Sequence, residues 1–269
     1  KDEIEAHGYY LINEGTSLQN LCTIIGSSNP ATIIVSEAYT LTASTTVTSN
    51  ITLEFSNAGK ITLGAYNLTM NSIPFAPARQ IFNQNSTGTV TFGVGSVKEV
   101  YPQWFGAVGD GTTDDTTAIS STISAMSAGQ TLFFPQGYYK LTDEISYTKA
   151  INIDGKGQYS QIFQSAANKS NFIIGSSATA VNGMSFKNVY LLSASTTNTT
   201  ALLKLRNVHR SEIDVMMYGS YHGIYLQGGL LNNIKVIKYS ILGKDDARTL
   251  REKNKISETI KLIIPPFNQ

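Results

Sequence analysis

Glu212 and Asp214 stand two residues apart in Glu212-Ile213-Asp214-Val215, a segment with the alternation of a half-buried strand. Strand geometry sends both carboxylates to one outward face. Two carboxylates so placed can serve as an acid and base pair on a glycosidic bond, or hold a calcium ion through oxygen. The competing reading is a solvated strand face. Asp110, Asp114 and Asp115 form a second acidic group, a candidate metal or acid/base cluster. A glycine turn running into a helix explains the same three residues more simply. Asp114 then caps the first helical turn, and Asp115 adds negative charge at the positive end of the dipole.

Aromatic residues are the other source of chemistry. Tyrosines recur through the later chain, at Tyr138, Tyr139, Tyr147, Tyr159, Tyr190, Tyr218, Tyr221 and Tyr225. Outward tyrosines among Asn and Gln make a carbohydrate-binding groove, offering a flat apolar face and a hydroxyl together; the same residues also serve plain packing. Tyr218, Tyr221 and Tyr225 lie nearest in sequence to the acidic pair and are the substrate-binding candidates. Trp104 could stack on a sugar ring, but beside Phe105 and a tight turn it reads as core. His7, His209 and His222 are too scattered for a metal site, and no cofactor is evident.

Composition narrows the class. Of 269 residues only 14% are charged and 41% are hydrophobic, and the charged share is well below the quarter or so usual in globular domains. Ser, Thr, Asn and Gly fill the difference, which suits a β-rich chain with many turns. A net charge of +1 and a pI near 7.9 leave no electrostatic footprint for nucleic acid or anionic lipid. No apolar run reaches membrane-spanning length, so neither nucleic acid nor a membrane is an expected partner. The single cysteine, Cys22, excludes an internal disulfide. It reads as a small buried hydrophobe on a short helix packed by Leu18, Leu21 and Ile25.

These groups need elements to hold them. Residues 1–98 read as a small β-rich head, with Ile51, Leu53 and Phe55, then Ile61 and Leu63, alternating with polar neighbours across the turn Ser56-Asn57-Ala58-Gly59. Residues 72–100, with Pro74, Pro77 and several glycines, read as a looser link. Residues 99–240 read as a solenoid. Its opening turn leads into a helix on which Ile119, Ile123 and Met126 share a face, and Thr131 to Pro135 follow as a buried strand. Inward-outward-inward triplets come next in two sets. One contains Ile151 to Gly155, Met184 to Asn188, Ile213 to Val215 and Ile234 to Val236; the other contains Phe172 to Gly175, Leu203 to Asn207 and Ile224 to Gly228. Members of a set recur roughly every twenty to thirty residues, about one coil, and each coil leans on its neighbours to bury its interior. Residues 241–269 read as a charged tail or cap, with Ile256, Ile260 and Ile263 at helical spacing. A cap would cover the sheet edge that a solenoid leaves open; the alternative is a solenoid cut short.

The run Gly109-Asp110-Gly111-Thr112-Thr113-Asp114-Asp115, paired with Phe134-Pro135-Gln136-Gly137, resembles the opening motif of the pectate-lyase-like β-helix superfamily, which includes polygalacturonase-like hydrolases, epimerases and phage tailspike proteins. The resemblance covers roughly residues 30 to 240 and is strongest from 99 to 145. It implies an all-β fold: a right-handed parallel β-helix with a short helix at its start, behind a small β-rich head. It also implies action on a polysaccharide as a lyase or glycoside hydrolase, with calcium as a family cofactor, a homotrimeric assembly and an extracellular or virion-associated location. The Asn-Thr-Asp, Asp-Asp, Gly-His-Gly and Arg-Ile-Lys motifs of the polygalacturonase-like branch are absent from the later coils. A non-catalytic carbohydrate-binding or structural module, such as a tail-fibre or adhesin segment, is therefore the alternative function.

Overall fold

A computed structural model describes residues 8–12, 17–56, 58–194, 200–219, 222–229, 233–239, 250–251 and 259–263. They divide into two compact units, residues 1–107 with 121–130, and residues 108–120 with 131–269.

The first unit contains β1 (Tyr9–Ile12), α1 (Leu18–Ile25), β2 (Ala31–Val35), β3 (Ala38–Thr40), β4 (Thr45–Val47), β5 (Ile51–Phe55), β6 (Lys60–Thr62), β7 (Leu68–Met70), β8 (Phe82–Asn83), β9 (Val90–Phe92) and β10 (Glu99–Val100). Three parallel sheets, β1-β2-β5, β3-β6-β8 and β4-β7-β9, each collect the same portion of successive turns of chain. Ala31 pairs with Ile51, Ala38 with Lys60 and Thr45 with Leu68. The head is thus itself a stack of coils. Residues 72–100, expected as a looser link, supply its third coil: Phe75, β8 and β9 pair onto the second. The prolines and glycines that suggested a link stand at its corners, between strands of two or three residues.

Alternation decides what this unit buries. Ile51, Leu53 and Phe55 point in while Thr52 and Glu54 do not, and Val47, Met70 and Phe92 stack in register with no exposed surface. Each such side chain contributes about 1.5–3 kcal/mol of burial. Phe55, Phe82, Phe92, Trp104 and Phe105 form a ring cluster with centroids 5.5 to 6.4 Å apart. On α1 the buried face is Leu18, Cys22 and Ile25; Leu21 is only half-buried, so Cys22 takes the core position expected for it. Burial pushes the Cys22 thiol up to about 11, which disfavours the reactive thiolate.

The second unit begins with β11 (Asp110–Asp114) and the first half of α2 (Thr116–Ala125), whose later half belongs to the first unit; Ile119 and Ile123 on the helix and Met126 just after it are buried as expected. Then come β12 (Thr131–Phe134), β13 (Gly137–Leu141), β14 (Ile145–Tyr147), β15 (Asn152–Gly155), β16 (Ser160–Gln164), β17 (Phe172–Ile174), β18 (Val181–Asn182), β19 (Ser185–Ser193), β20 (Ala201–Arg206), β21 (Val208–His209), β22 (Glu212–Tyr218), β23 (His222–Gln227), β24 (Asn233–Tyr239), β25 (Leu250–Arg251) and β26 (Thr259–Ile263). Every pairing in this unit is parallel, the pattern of a right-handed parallel β-helix. The first triplet set stacks as Ile153, Phe186, Ile213 and Ile234. The second stacks as Phe172, Leu203 and Ile224. A further face, built from β11, β13, β16 and the later halves of β19, β22 and β24, carries a column that the triplets did not reveal: Tyr139, Ile162, Leu191 and Met217.

Beyond Ser240 the expectation of a helical face fails. Ile260 and Ile263 lie on β26, paired to β24, and β25 pairs with β23; Ile256 lies outside the described residues. A strand satisfies the open N–H and C=O groups of the preceding coil directly, which a helix cannot do. No helix among the described residues is long and apolar enough to cross a membrane.

Stacking leaves little room at the corners. Gly175 has φ +79°, and a Cβ there would lie 2.0 Å from the Arg206 carbonyl oxygen of the next coil. Gly175→Ala should therefore destabilise the protein by roughly 2–3 kcal/mol, read as a lower urea midpoint. Gly157→Ala, at φ +65° with open space around it, should cost less, which isolates the coil-to-coil clash from the backbone strain.

Candidate functional site

The opening turn of the second unit is a clasp. Asp115 is fully buried, and its carboxylate accepts hydrogen bonds from the backbone N–H groups of Val108 (2.7 Å) and Gly109 (3.1 Å). Its own N–H donates to the Lys140 carbonyl. Asp115 thus ties the turn to the next coil rather than only placing charge at the helix end. Asp114 caps as expected, accepting from the Thr116 N–H and hydroxyl, and also accepts from the Thr142 hydroxyl at 2.6 Å. Asp110 accepts from the N–H groups of Thr112 and Thr113. All three carboxylates are engaged by their own loop and its neighbouring coil. Among the described residues no group of three or more His, Cys, Asp or Glu is placed to hold a metal ion.

The two motifs of the opening turn meet physically. A Cβ on Gly109 (φ +69°) would approach the Tyr139 ring at 3.0 Å, and one on Gly111 (φ +77°) would enter the Tyr138 ring at 2.4 Å. The glycines leave space for the two tyrosines that follow Pro135-Gln136-Gly137. Tyr139 turns inward and donates its hydroxyl to the Pro135 carbonyl, while Tyr138 lies outward over Gly111.

From Tyr138 an outward strip runs up the coils. One column, in register, is Tyr138, Gln161, Tyr190 and Met216; beside it runs Lys140, Phe163, Leu192 and Tyr218. All eight are half-buried. The Tyr138 and Phe163 rings stand 5.2 Å apart. The hydropathy of β16 is inverted to make this strip, with Phe163 outward and Gln164 fully buried. Gln164 is satisfied inside by the carbonyls of Asp143 and Ser170 and by the Ala166 N–H.

On β22 the alternation runs unbroken, so Glu212, Asp214, Met216 and Tyr218 share one outward line. The acidic pair therefore lies on the same strand as the end of the strip. In register, Asp214 is the partner of Lys187. Such a pair of opposite charges on adjacent strands contributes roughly 0.2–1 kcal/mol. Of the three tyrosines proposed from sequence, Tyr218 joins the strip, Tyr225 faces outward on the separate sheet of β14, β17, β20 and β23, and Tyr221 lies outside the described residues. Tyr147 is buried, and Tyr159 is exposed on a short turn. Trp104 is core, 3% exposed, against Phe92 and Tyr101. Phe163, Leu192 and Met216 were missed by sequence reasoning because hydropathy assigns apolar residues inward, and Gln161 carried no signal of its own.

The parallel β-helix places the chain with the pectate-lyase-like class of polysaccharide-acting β-helix proteins. A family model described as rhamnogalacturonase A/epimerase, pectate lyase-like, matches residues 103–240, just over half of the chain, and the chain belongs to that family. No match was found among curated proteins or among solved structures.

The clasp predicts a pH response. The N–H groups of Thr113 and Thr112 hold Asp110 below the ordinary aspartate value of 3.8. At Asp114 burial pushes upward, but the bonds from Thr116 and Thr142 outweigh it and the net direction is also down. Groups lowered in this way stabilise the fold above their unfolded values and lose that contribution as pH falls through their folded ones. Burial drives Asp115 the other way despite its two N–H partners, so its titration favours the fold below its unfolded value and loses that contribution as pH rises through its folded one. Asp110→Asn should therefore flatten the loss of stability measured as pH drops below 3.8. Asp115→Ala strands two N–H groups and should cost about 2–3 kcal/mol in urea unfolding at neutral pH.

Proposed function

We propose that the protein binds a polysaccharide along the outward strip of Tyr138, Phe163, Tyr190 and Tyr218. The observation that carries this reading is the in-register placement of these rings on one sheet, interleaved with Gln161. Neighbouring strands are about 4.8 Å apart, so the strip offers a fresh ring or polar group at each coil. Rings with polar edges suit sugars, which present apolar faces and hydroxyl rims together. Membership of a polysaccharide-acting family supports the same reading. A polysaccharide ligand is consistent with an extracellular or virion-associated location.

The position of Glu212 and Asp214 favours a second, catalytic reading. They extend the line of Met216 and Tyr218, and residues two apart on a strand are separated by about 6.6 Å, a scale on which acid and base can flank a glycosidic bond. In this reading the bound chain is cleaved at the β22 end of the strip.

Affinity electrophoresis against a glycan panel tests binding. Tyr138→Ala and Tyr190→Ala should each weaken retention roughly tenfold, whereas Tyr225→Ala, on the separate sheet of β14, β17, β20 and β23, should leave it unchanged. Equal retention in all three variants, with unchanged melting temperatures, would contradict the proposal. Release of new reducing ends or unsaturated products that disappears in Glu212→Gln and Asp214→Asn, with binding kept, would establish cleavage.

A further inference from the structure

We infer that the polysaccharide held by the strip is built of neutral sugars rather than uronates. The inference rests on the binding reading above and concerns the charge of the same surface. Of the eight described side chains in the two columns, Lys140 alone is charged, and its Nζ donates to the Thr112 carbonyl at 3.2 Å. The remaining seven offer rings, aliphatic surface, one thioether and one amide, with no guanidinium to grip a carboxylate in the bidentate manner such groups favour.

Both margins of the strip are acidic. At one end Asp110 is the register partner of Tyr138, with the exposed Asp114 opposite Lys140. The N–H bonds described above keep Asp110 ionised. At the other end Glu212 and Asp214 continue the outward line of β22. Lys187 is the register partner of Asp214 and sets a positive charge beside it, which leaves the exposed Glu212 as the acid of that margin. Lys169 pairs with Asp143 at 2.9 Å and Lys204 with Glu144 at 3.4 Å; Lys204 belongs to β20, on the separate sheet. A polyuronate laid along the strip would bring a carboxylate with every sugar towards Asp110, Asp114 and Glu212, and within the two columns it would find one already-engaged ammonium. A neutral chain meets no such repulsion and stacks on the same rings.

Salt gives the two cases opposite signatures. Raising salt from about 10 mM to about 100 mM shortens the screening length from about 30 Å to about 10 Å. Retention by a neutral glycan should not change over that range, whereas attraction of a polyanion to lysines would weaken. The experiment is affinity electrophoresis of the full chain in gels containing galactan, mannan, mixed-linkage glucan, polygalacturonate or alginate at both salt levels. The expected result is retention by at least one of the three neutral glycans, insensitive to salt, and none by the two polyuronates. Asp110→Asn combined with Glu212→Gln should then raise retention by polygalacturonate several-fold at low salt. Retention of the unmodified chain by a polyuronate, weakening as salt rises and lost in Tyr190→Ala, would overturn the neutral-sugar inference while leaving the binding proposal standing. Absence of retention by all five glycans would overturn both.

Discussion

The parallel backbone ladder between successive coils is the constraint on which everything else depends. Because Tyr138, Gln161, Tyr190 and Met216 are register partners, their side chains fall into one column without any contact having to specify it. A one-residue slip would turn every ring of the strip inward and every aliphatic residue outward. The register is held by what lies inside. Tyr139, Ile162, Leu191 and Met217 form a continuous buried column behind the strip, and moving it to the surface would forfeit several kcal/mol of burial.

The first coil lacks a preceding coil of the same unit to fix it, and the clasp takes over that task. Asp115 holds Val108 and Gly109 from within, Asp114 reaches Thr142, and the Lys140 ammonium returns to the Thr112 carbonyl. The last two bonds join β11 to the C-terminal end of β13. Carboxylates are thus spent on structure at the opening of the solenoid, and the surface proposed to meet a ligand lies on the outward residues further along it.

The coil architecture was legible because its triplets use inward aliphatics of the usual kind, as in Ile151-Asn152-Ile153 and Leu203-Lys204-Leu205. The head was harder to read. Strands between residues 31 and 71 were found, but their parallel stacking and the third coil were not, since strands of two or three residues such as Phe82–Asn83 carry too little periodicity to set an order. The strip was the least legible part. In Ser160-Gln161-Ile162-Phe163-Gln164 the ends of the inward set are Ser160 and Gln164, made tolerable inside by hydrogen bonds to Phe134, Asp143 and Ser170 carbonyls. Hydropathy alone assigns Phe163 to the core. Proximity in sequence likewise grouped Tyr218 with Tyr225, although a corner of the coil puts them on different sheets.

The central claim is that coil register gathers these rings into one ligand-bearing face. The most direct measurement is a crystal structure of the full chain with an oligosaccharide soaked from whichever glycan it retains. The account predicts saccharide density lying along the strip, in contact with Tyr138, Phe163 and Tyr190 and reaching Tyr218 on β22. Density on the sheet of β14, β17, β20 and β23, beside Tyr225, with the strip unoccupied, would contradict it.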